Sequence, residues 1–466
     1  MTAFEPIADQ MSSARNEARP HRLFLLIAPL LYAAYALLTP PFQSFDENQH
    51  LYRAWQISSL QFTGERRGAQ SGGELPPGLG EATLREIGSV VPMAEPKIVR
   101  RPISQIFGGN SSIGSDRNPV YYNFFGAIVY SPVGYLPQIF AVELGKTANL
   151  SVEWTLRLGR LLNLLLCIGL IFWALKLVPF GRWVMLTIAI SPPIAAGAAS
   201  FGQDALVNGG GFLLTAMGLR IAAEKRWTGS RAVAVGVASA AVSLSKFVYL
   251  PLVAIAAFPL PRGIRVQRWL LPPALIGSAV AALVYAWLRI NAHAVVDPFL
   301  PSMPTFSEQV SWAITHPIDF SLLIGRTWLF WLPSAWARLY TFGDATVPGV
   351  RTAAIPGTAA LLAMMAYGDR HAFSLTRSRR IWMLLIFAAV TLLITTAMFI
   401  TLAPRGAVTI DGIQGRYFLP MLPLGAIALM RRGETAPPVV IAVAIVLVLI
   451  ANAAALGVIM TTFYSV

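Results

Sequence analysis

Long apolar segments recur along this chain from residue 23 to residue 460, separated mostly by short polar connections. An α-helix rises 1.5 Å per residue, so about 20 apolar residues are needed to cross the hydrocarbon core of a bilayer. Only 12% of the 466 residues are charged and 55% are hydrophobic, whereas about a quarter of a typical soluble domain is charged. The pattern therefore predicts an integral membrane protein.

We predict about eleven transmembrane helices and hence an all-α polytopic membrane protein. The predicted segments are 23–38, 156–178, 183–199, 205–222, 232–245, 247–260, 269–288, 352–366, 381–402, 417–430 and 439–460. The two segments on either side of Lys246 are short. The aromatic-rich stretch at 322–336 contains Arg326 and Pro333, and we place it in the membrane interface.

The remaining sequence predicts one domain with a large first outer loop. Residues 1–22 are polar and are predicted to be a disordered cytoplasmic N-terminus, and residues 23–466 form a single transmembrane domain. The first outer loop, at about 39–155, is rich in glycine and proline and is predicted to contain short interfacial helices. A cleaved signal peptide is an alternative for the first apolar segment, but its length and the many following segments favour a retained anchor.

The charge pattern predicts the orientation. Basic residues gather in connections on one side: Lys176, Arg182, Lys225, Arg226, Arg231, Arg262, Arg265, Arg268, Arg370, Arg377, Arg379, Arg380, Arg431 and Arg432. Acidic residues gather on the other: Asp46, Glu47, Glu65, Glu74, Asp116, Asp204, Asp297, Asp319, Asp344 and Asp411. By the positive-inside rule the N-terminus is cytoplasmic and the acids face outward. The net charge of +14 thus reflects membrane topology and not nucleic-acid binding, and a single cysteine excludes an intrachain disulfide.

The stretch PPFQSFDENQHLYRAW follows the first apolar segment and is the strongest candidate for a functional site. If a helix begins at Phe45, then Asp46, Gln49, His50 and Arg53 share one face. This arrangement predicts an amphipathic helix with a charged ridge in the outer interface.

Two adjacent carboxylates open that ridge. Asp46 is a candidate general base or metal ligand at the membrane boundary. Glu47 is either functional or the last member of a capping box with Ser44. The sequence holds no histidine or cysteine cluster that would indicate zinc.

Asp204 is a second outward acid, at the start of a predicted span, with Gln203 before it and Asn208 one turn later. An acid at a helix N-terminus is stabilised by the macrodipole, which is the structural alternative. Polar groups at the mouth of an apolar segment are costly and favour a functional role. Lys246, between two apolar segments, either lines a cavity or is a turn residue in water.

Arg416, in TIDGIQGRYFLPMLPL, lies at the outer end of a predicted span, against the positive-inside trend. Its planar guanidinium can hold a phosphate or carboxylate through two hydrogen bonds. Snorkelling to the interface, with Tyr417 as an aromatic anchor, is the alternative. Gln414 and Asp411 beside it favour a ligand contact.

These motifs resemble a family of bacterial membrane proteins, domain of unknown function 2142. The resemblance rests on PPFQSFDENQHLYRAWQIS, SPVGYLPQ, SFGQDAL, SKFVYLPL, YTFGDATVP and QGRYFLPMLPL, which run in that order along the chain. In the family the acid pair stands nearer to the proline; here four residues separate it from Pro41.

More distantly, the arrangement is similar to the GT-C superfamily of glycosyltransferases, which use lipid-linked sugars and place acids in outer loops. That similarity implies Asp46 as the main catalytic carboxylate, with Glu47 as its partner and Asp204 as a second acid. It implies Arg416 as a contact of the donor phosphate. His50, Arg53, Lys246, Gln414 and Tyr417 complete the predicted substrate-binding set.

The expected function is transfer of a sugar from a polyprenyl-phosphate donor to a cell-envelope glycan or lipid, on the outer face of the bacterial inner membrane. The expected partners are membrane lipid, this donor and the acceptor, with no nucleic acid. A transporter or flippase for a lipid-linked precursor is the alternative, and a non-catalytic scaffold is the third possibility. Participation of a divalent metal is left open.

Overall fold

The structure is a computed structural model, and it describes residues 19–92, 97–114, 116–257, 265–300, 302–340, 350–367, 375–431 and 436–465. Most of the N-terminus predicted to be disordered, residues 1–18, lies outside the described residues. So do Arg262, Asp344, Arg370 and Arg432, four residues of the predicted charge pattern.

Helices dominate the fold. In the first half they are α1 (Pro20–Leu38), α2 (Glu47–Ser58), α3 (Pro77–Ile87), α4 (Phe125–Ile128), α5 (Leu136–Thr147), α6 (Val152–Leu177), α7 (Arg182–Ala189), α8 (Pro192–Ala198), α9 (Asp204–Glu224) and α10 (Gly229–Ser245). In the second half they are α11 (Val266–Asn291), α12 (Phe306–Thr315), α13 (Pro317–Trp331), α14 (Ala335–Arg338), α15 (Ala354–Tyr367), α16 (Arg377–Leu402), α17 (Leu422–Leu429) and α18 (Pro438–Phe463).

Shorter elements connect these helices. The 3-10 helices are Ile103–Gln105, Pro132–Tyr135, Phe247–Ala256, Ala292–Ala294, Leu332–Ser334, Val350–Ala353 and Gly415–Met421. The strands are β1 (Glu65–Arg67), β2 (Gln70–Leu75), β3 (Arg101–Pro102), β4 (Val120–Asn123) and β5 (Tyr464–Ser465).

Within the described residues, six helices are long and apolar enough to cross a membrane. They are α1, α6, α9, α11, α16 and α18. Several shorter apolar helices, among them α10, α15 and the 3-10 helix Phe247–Ala256, lie between them. The prediction of a mostly helical multi-pass membrane protein is confirmed, whereas the number eleven stays a prediction.

Helix α9 is the centre of the bundle, because three consecutive glycines let its neighbours approach closely. A Cβ added to Gly209 would lie 2.8 Å from the Leu170 Cβ of α6. At Gly210 it would lie 2.3 Å from the Val242 side chain of α10, and at Gly211 it would lie 2.2 Å from the backbone oxygen of Pro420. Glycine is tolerated here despite its low helix propensity because each missing side chain admits a neighbouring segment.

Residues 39–92, 97–114 and 116–151 form a polar lobe at one end of the bundle, with a core of its own. Its core includes Leu51, Tyr52, Leu79 and Phe124, all fully buried. The lobe also contains a three-stranded antiparallel sheet in the order β1-β2-β4. This sheet is a departure from the predicted all-α fold. Runs such as Gln70–Leu75 are too short and too rich in glycine to give a strand signal in the sequence.

The two ends of the bundle differ in charge. Helix α9 has 21 residues, so its ends are about 30 Å apart. Near its C-terminal end, Arg379 donates a hydrogen bond to the backbone oxygen of Ala222. At the opposite end lie Asp204 and the polar lobe. The structure therefore places Asp204 and Arg379 at opposite ends of α9.

Candidate functional site

The site is built on the start of α2. The helix begins at Glu47, and Asp46 is its N-cap residue, in the left-handed region with φ 53°. The Asp46 side chain makes no capping hydrogen bond to the backbone, and one of its carboxylate oxygens accepts a hydrogen bond of 3.5 Å from the Gln49 side chain of the same helix. Of the two alternatives for Glu47, the capping box with Ser44 does not form, because Asp46 is the N-cap residue and the Glu47 carboxylate accepts hydrogen bonds from Phe42, Phe201 and Arg160.

Helix α2 was predicted to carry a charged ridge in the outer interface, whereas the structure buries it in the protein. Every residue from Glu47 to Ile57 is buried, including polar side chains that a surface helix would turn to water. The helix belongs to the polar lobe, and its apolar residues are part of the core of the lobe. Its polar residues are therefore satisfied inside the protein, as burial requires.

Four charged side chains from four segments meet next to the N-terminus of α2, and we call them the charged cluster: Asp46, Asp204, Lys246 and Arg416. Arg416 Nη2 donates to Asp46 Oδ2 at 2.7 Å, and its Nη1 lies 3.4 Å from Asp204 Oδ2. Lys246 Nζ donates to Asp204 Oδ1 at 2.6 Å. One guanidinium thus bridges two carboxylates, in the fork geometry that arginine provides.

Polar and aromatic neighbours fix the Arg416 guanidinium. Its Nε donates to Gln414 Oε1 at 2.6 Å. Its central carbon lies 4.2 Å from the centre of the Phe45 ring and 5.5 Å from that of Tyr417. Lys246 Nζ lies 5.6 Å from the same Tyr417 ring. Aromatic faces attract cations, so the two rings stabilise the pair of positive charges.

The elements that carry the cluster are tied to one another. Asp204 is the first residue of α9, and Lys246 is the C-cap residue of α10. Arg416 lies in the 3-10 helix Gly415–Met421. Tyr249 OH donates to the Tyr417 backbone oxygen at 2.9 Å, which joins the segment after Lys246 to the segment of Arg416.

Exposure differs sharply between the two acids of the cluster. The Asp46 side chain is 45% exposed, whereas those of Asp204 and Arg416 are only 15% and 11% exposed. Desolvation by the surrounding protein raises the pKa of Asp46, but the charge of Arg416 outweighs it and the net pKa is lowered. Asp46 is therefore ionised at neutral pH and is the member of the cluster nearest to water.

His50 lies one turn further along α2 and is 6% exposed. Its Nδ1 and the Tyr135 hydroxyl are 2.7 Å apart. Burial lowers the pKa of His50 to about 4, against the opposing effect of Asp46. The imidazole is therefore neutral at pH 7, and Tyr135 fixes its orientation.

Beside this pair, the buried Gln203 amide has no hydrogen-bond partner among the described residues, although the side chain is fully buried. Buried polar groups of this kind are rare and call for a specific explanation. Gln203 immediately precedes Asp204, so the unpaired amide borders the charged cluster.

Glu47 is placed away from the cluster, in a buried ion pair with Arg160. The two side chains form two hydrogen bonds, of 2.8 and 2.6 Å, and are 0% and 1% exposed. The Glu47 carboxylate also accepts from the backbone N–H groups of Phe42 and Phe201, both at 2.9 Å. Both carboxylate oxygens of Glu47 thus accept hydrogen bonds from groups inside the protein. Through these bonds Glu47 links α2 to α6 and to the segment before α9.

Arg53 is likewise outside the cluster. It is fully buried, and it donates to Gln56 Oε1 at 2.5 Å and to the backbone oxygens of Phe62 and Tyr130. These contacts anchor the turn after α2. Of the nine predicted site residues, the structure brings Asp46, His50, Asp204, Lys246, Gln414, Arg416 and Tyr417 together, and it holds Glu47 and Arg53 elsewhere.

A cavity of about 40 Å³ adjoins the cluster. Asp204, Arg416 and Ser200 line one part of it, and Pro193, Ala196, Leu419, Ile459 and Phe463 line another. The lining thus combines charged groups with apolar side chains from α8, α18 and the 3-10 helix of Arg416. Its volume admits small molecules such as water, so a larger ligand requires displacement of a lining side chain such as Phe45.

Three residues important to the site escaped the sequence reasoning. Phe45 covers the Arg416 guanidinium, Tyr135 orients His50, and Arg160 binds Glu47. For Arg160 a signal existed, since an arginine inside an apolar segment needs a buried acid as partner. Phe45 and Tyr135 gave none, because aromatic residues are common near membrane interfaces.

Among the described residues, no group of three or more His, Cys, Asp or Glu side chains is arranged to hold a metal ion. The two carboxylates of the charged cluster are instead neutralised by Arg416 and Lys246. The chemistry that this arrangement offers is anion binding by the cations and proton acceptance by a carboxylate.

The fold and the cluster together define a multi-pass helical membrane protein with a polar site at one end of its bundle. The chain belongs to the family of predicted membrane proteins designated DUF2142, which matches residues 29–425. The resemblance inferred from the motifs is thereby confirmed, and the matched range contains every residue of the charged cluster. No curated protein and no solved structure matches the chain.

Proposed function

We propose that the protein is a membrane glycosyltransferase of GT-C type that takes a sugar from a polyprenyl-phosphate donor and transfers it to a cell-envelope glycan or lipid. The observation that carries the proposal is the convergence of Asp46, Asp204, Lys246 and Arg416 beside a cavity with an apolar wall. A lipid-linked sugar phosphate combines an anion, a polyol and a hydrocarbon chain. In this site, Arg416 and Lys246 match the anion, and the apolar lining of the cavity matches the hydrocarbon chain.

The cations are the proposed contacts of the donor phosphate. Arg416 and Lys246 are held in a mostly buried environment, where charge–charge interactions are stronger than in water. An arriving phosphate would displace Asp46 from Arg416. That exchange is favourable because the Asp46 side chain is already 45% exposed and can be solvated once released.

Asp46 is the proposed general base. Its carboxylate accepts the proton of the acceptor hydroxyl while the hydroxyl oxygen bonds to the anomeric carbon of the sugar. The bond from that carbon to the phosphate oxygen breaks, and the phosphate leaves with the electron pair. Arg416 and Lys246 stabilise the charge that develops on the leaving group. Asp204 holds both cations in place for this role.

The surrounding residues have supporting roles in this proposal. His50, Gln414 and Tyr417 border the donor's polar part, and neutral His50 offers a hydrogen bond to a sugar hydroxyl. Glu47 and Arg53, which the sequence placed in the site, are proposed to hold α2 in position instead. Their buried hydrogen bonds account for that role without any ligand contact.

The apolar wall is proposed to receive the first units of the polyprenyl chain. Ile459 and Phe463, near the end of α18, and Leu419 lie next to the charged groups. A hydrocarbon chain gains about 0.8 kcal/mol for each methylene group removed from water. The phosphate at the cluster and the chain against this wall would together orient the donor.

The site is proposed to face the outside of the bacterial inner membrane, with a cytoplasmic N-terminus. The basic end of the bundle, near Ala222 and Arg379, would then lie in the cytoplasm, as the positive-inside rule requires. The donor and acceptor are both present on the outer face in this arrangement.

The experiment compares Asp46→Asn with wild type and with Asp116→Asn, a control at an exposed acid of the polar lobe. Purified protein in nanodiscs is given radiolabelled polyprenyl-phosphate sugars and the envelope glycolipid fraction of the host. We expect Asp46→Asn to reduce transfer at least 100-fold, and Asp116→Asn to leave it unchanged. Full transfer by Asp46→Asn would overturn the assignment of the base.

Transport of a lipid-linked precursor is the second candidate, favoured by unpaired polar atoms inside the bundle. The Asn208 amide nitrogen and the hydroxyls of Thr215 and Ser239 are buried without a hydrogen-bond partner among the described residues. Polar groups at such depth are typical of transport pathways. Translocation of a fluorescent polyprenyl-phosphate sugar across sealed proteoliposomes without acceptor would favour this candidate over transfer.

A further inference from the structure

A second and larger cleft lies on the polar lobe, at the opposite end of α2 from the charged cluster. Its volume is about 520 Å³, within the range of roughly 300–1,000 Å³ that is typical of ligand sites. The residues that line it are Trp55, Ser59, Gln61, Glu74, Pro76, Ile113, Arg117, Pro119, Lys146 and Asn149. We propose that this cleft binds carbohydrate.

The charges of the cleft already have partners. Arg117 makes two hydrogen bonds to Glu81, of 2.6 and 3.0 Å. Lys146 Nζ lies 2.9 Å from Glu143, and it also donates to the Ser58 hydroxyl at 2.7 Å.

The one acid in the cleft lining, Glu74, accepts from Arg67 at 2.8 Å. Arg67 itself also binds Glu65. In these ion pairs three cations meet four carboxylates, so the paired groups carry no excess positive charge. A phosphate-rich ligand or a nucleic acid would find no electrostatic attraction there.

The unpaired groups of the cleft are neutral amides. Gln61 and Asn149 are exposed, and their side chains have no hydrogen-bond partner among the described residues. Each amide offers an acceptor oxygen and two donor hydrogens, a combination that fits hydroxyl groups, which both donate and accept. The Ser59 hydroxyl adds a further neutral group to the same cleft.

Flat apolar surfaces accompany these amides. Pro76, Pro119 and Ile113 line the cleft together with the mostly buried Trp55, and Lys146 Nζ lies over the Trp55 ring at 5.0 Å from its centre. Sugar rings present C–H faces as well as hydroxyl edges. A neutral polar lining broken by small apolar surfaces therefore fits a saccharide better than a hydrocarbon chain, which needs a continuous apolar wall.

The two sites are joined by a rigid element. Helix α2 has 12 residues, so it spans about 18 Å, and it is buried along nearly its whole length. Asp46 precedes its first turn, and Trp55 and Ser59 lie at its end. The two sites are therefore separate, and they share no lining residue. Binding here does not depend on whether the charged cluster is catalytic.

The experiment is saturation-transfer NMR on the full chain in nanodiscs, with maltohexaose, cellohexaose and chitohexaose as neutral probes. We expect transfer to at least one probe, with affinity reduced at least tenfold in the double variant Gln61→Ala/Asn149→Ala. Both positions are exposed, so this variant should keep the wild-type melting temperature. Asp46→Asn should bind the probe as wild type does, because the charged cluster lies at the other end of α2.

Three results would overturn the proposal. One is the absence of transfer to all three probes, and another is unchanged affinity in the double variant. The third is loss of binding in Asp46→Asn alone, which would place the sugar at the charged cluster. If Asp46→Asn loses glycosyl transfer but still binds the probe, carbohydrate binding in the cleft is shown to be independent of catalysis at the charged cluster.

Discussion

Asp46 and Arg416 are 370 positions apart in the chain, and their side chains form an ion pair of 2.7 Å. The pair connects the residue before α2 to the segment between α16 and α17. Because one partner is 45% exposed and the other 11% exposed, the bond is open to solvent on the aspartate side only. Such asymmetry leaves the cation fixed and the acid free to exchange partners.

Replacing Arg416 tests the anion contact. We expect Arg416→Gln to lower transfer by about 10²–10³, the usual loss when one preorganised charge-stabilising donor is removed. Arg416→Lys should lie between this variant and wild type, since an ammonium keeps the charge but cannot bridge two carboxylates in the same way. Arg405→Gln is the matched control, because Arg405 forms an exposed ion pair with Glu308. Equal activity of Arg416→Gln and Arg405→Gln would refute the role.

Replacing Glu47 separates structural from catalytic carboxylates. Glu47→Gln leaves the buried Arg160 without its counter-charge, which costs about 3–5 kcal/mol for a fully buried pair. We expect a clearly lower melting temperature in detergent, with transfer per folded molecule retained. Glu65→Gln, at an exposed ion pair, should change the melting temperature little. An unchanged melting temperature together with lost transfer would make Glu47 catalytic.

Because burial lowers the pKa of His50, we expect the stability of the folded protein to depend on pH. Its pKa is about 4 in the folded protein and 6.5 in the unfolded reference, so the unfolded chain binds more protons between these values. Stability is therefore lost as the pH falls from 6.5 towards 4, by about 3 kcal/mol from this group. We expect His50→Gln to flatten the pH dependence of the melting temperature in this window, and His293→Gln, at an exposed site, to preserve it. A wild-type curve that is flat over this window would contradict the buried neutral imidazole.

The close packing of Gly211 in α9 against the 3-10 helix of Arg416 is predicted to hold Arg416 in position. A Cβ at this position would lie 2.2 Å from the Pro420 backbone oxygen, whereas a Cβ on Gly169 would meet nothing within 4 Å. We expect Gly211→Ala to lower the melting temperature by several degrees and to reduce transfer, since it displaces the segment of Arg416 from Asp204. Gly169→Ala should be neutral or slightly stabilising, as alanine favours a helix. A wild-type melting temperature and wild-type transfer in Gly211→Ala would contradict this role, because the 3-10 helix of Arg416 would then tolerate the added methyl group.

Much of the architecture was predictable from the sequence, because a helix that crosses the bilayer must be long enough and apolar along its whole length. The long helices α6, α16 and α18 each extend over a predicted apolar segment, and the family was recognisable from the motifs. The small sheet of the polar lobe and the buried state of α2 were not predictable. Both depend on contacts across the lobe, for which a local pattern gives no signal.

The site divides in the same way. Asp46, Asp204, Lys246 and Arg416 were all selected from the sequence, because charged residues at the ends of apolar segments are costly and rare. Glu47 and Arg53 are also charged residues next to an apolar segment, so the sequence selected them for the same reason. In the structure, however, Glu47 pairs with the buried Arg160, and Arg53 donates to backbone oxygens. Chemical type alone cannot distinguish an acid that faces a ligand from one that holds two helices together.

The sequence by itself determined that this chain is a membrane protein, since each span must satisfy its backbone hydrogen bonds within one apolar segment. It also determined which charged residues needed an explanation. Only the tertiary structure decided their partners, because ion pairs form between side chains brought together by helix packing at separations of up to 370 residues. The close approach of Gly211 to the Pro420 backbone brings the segment of Arg416 against α9, which begins at Asp204.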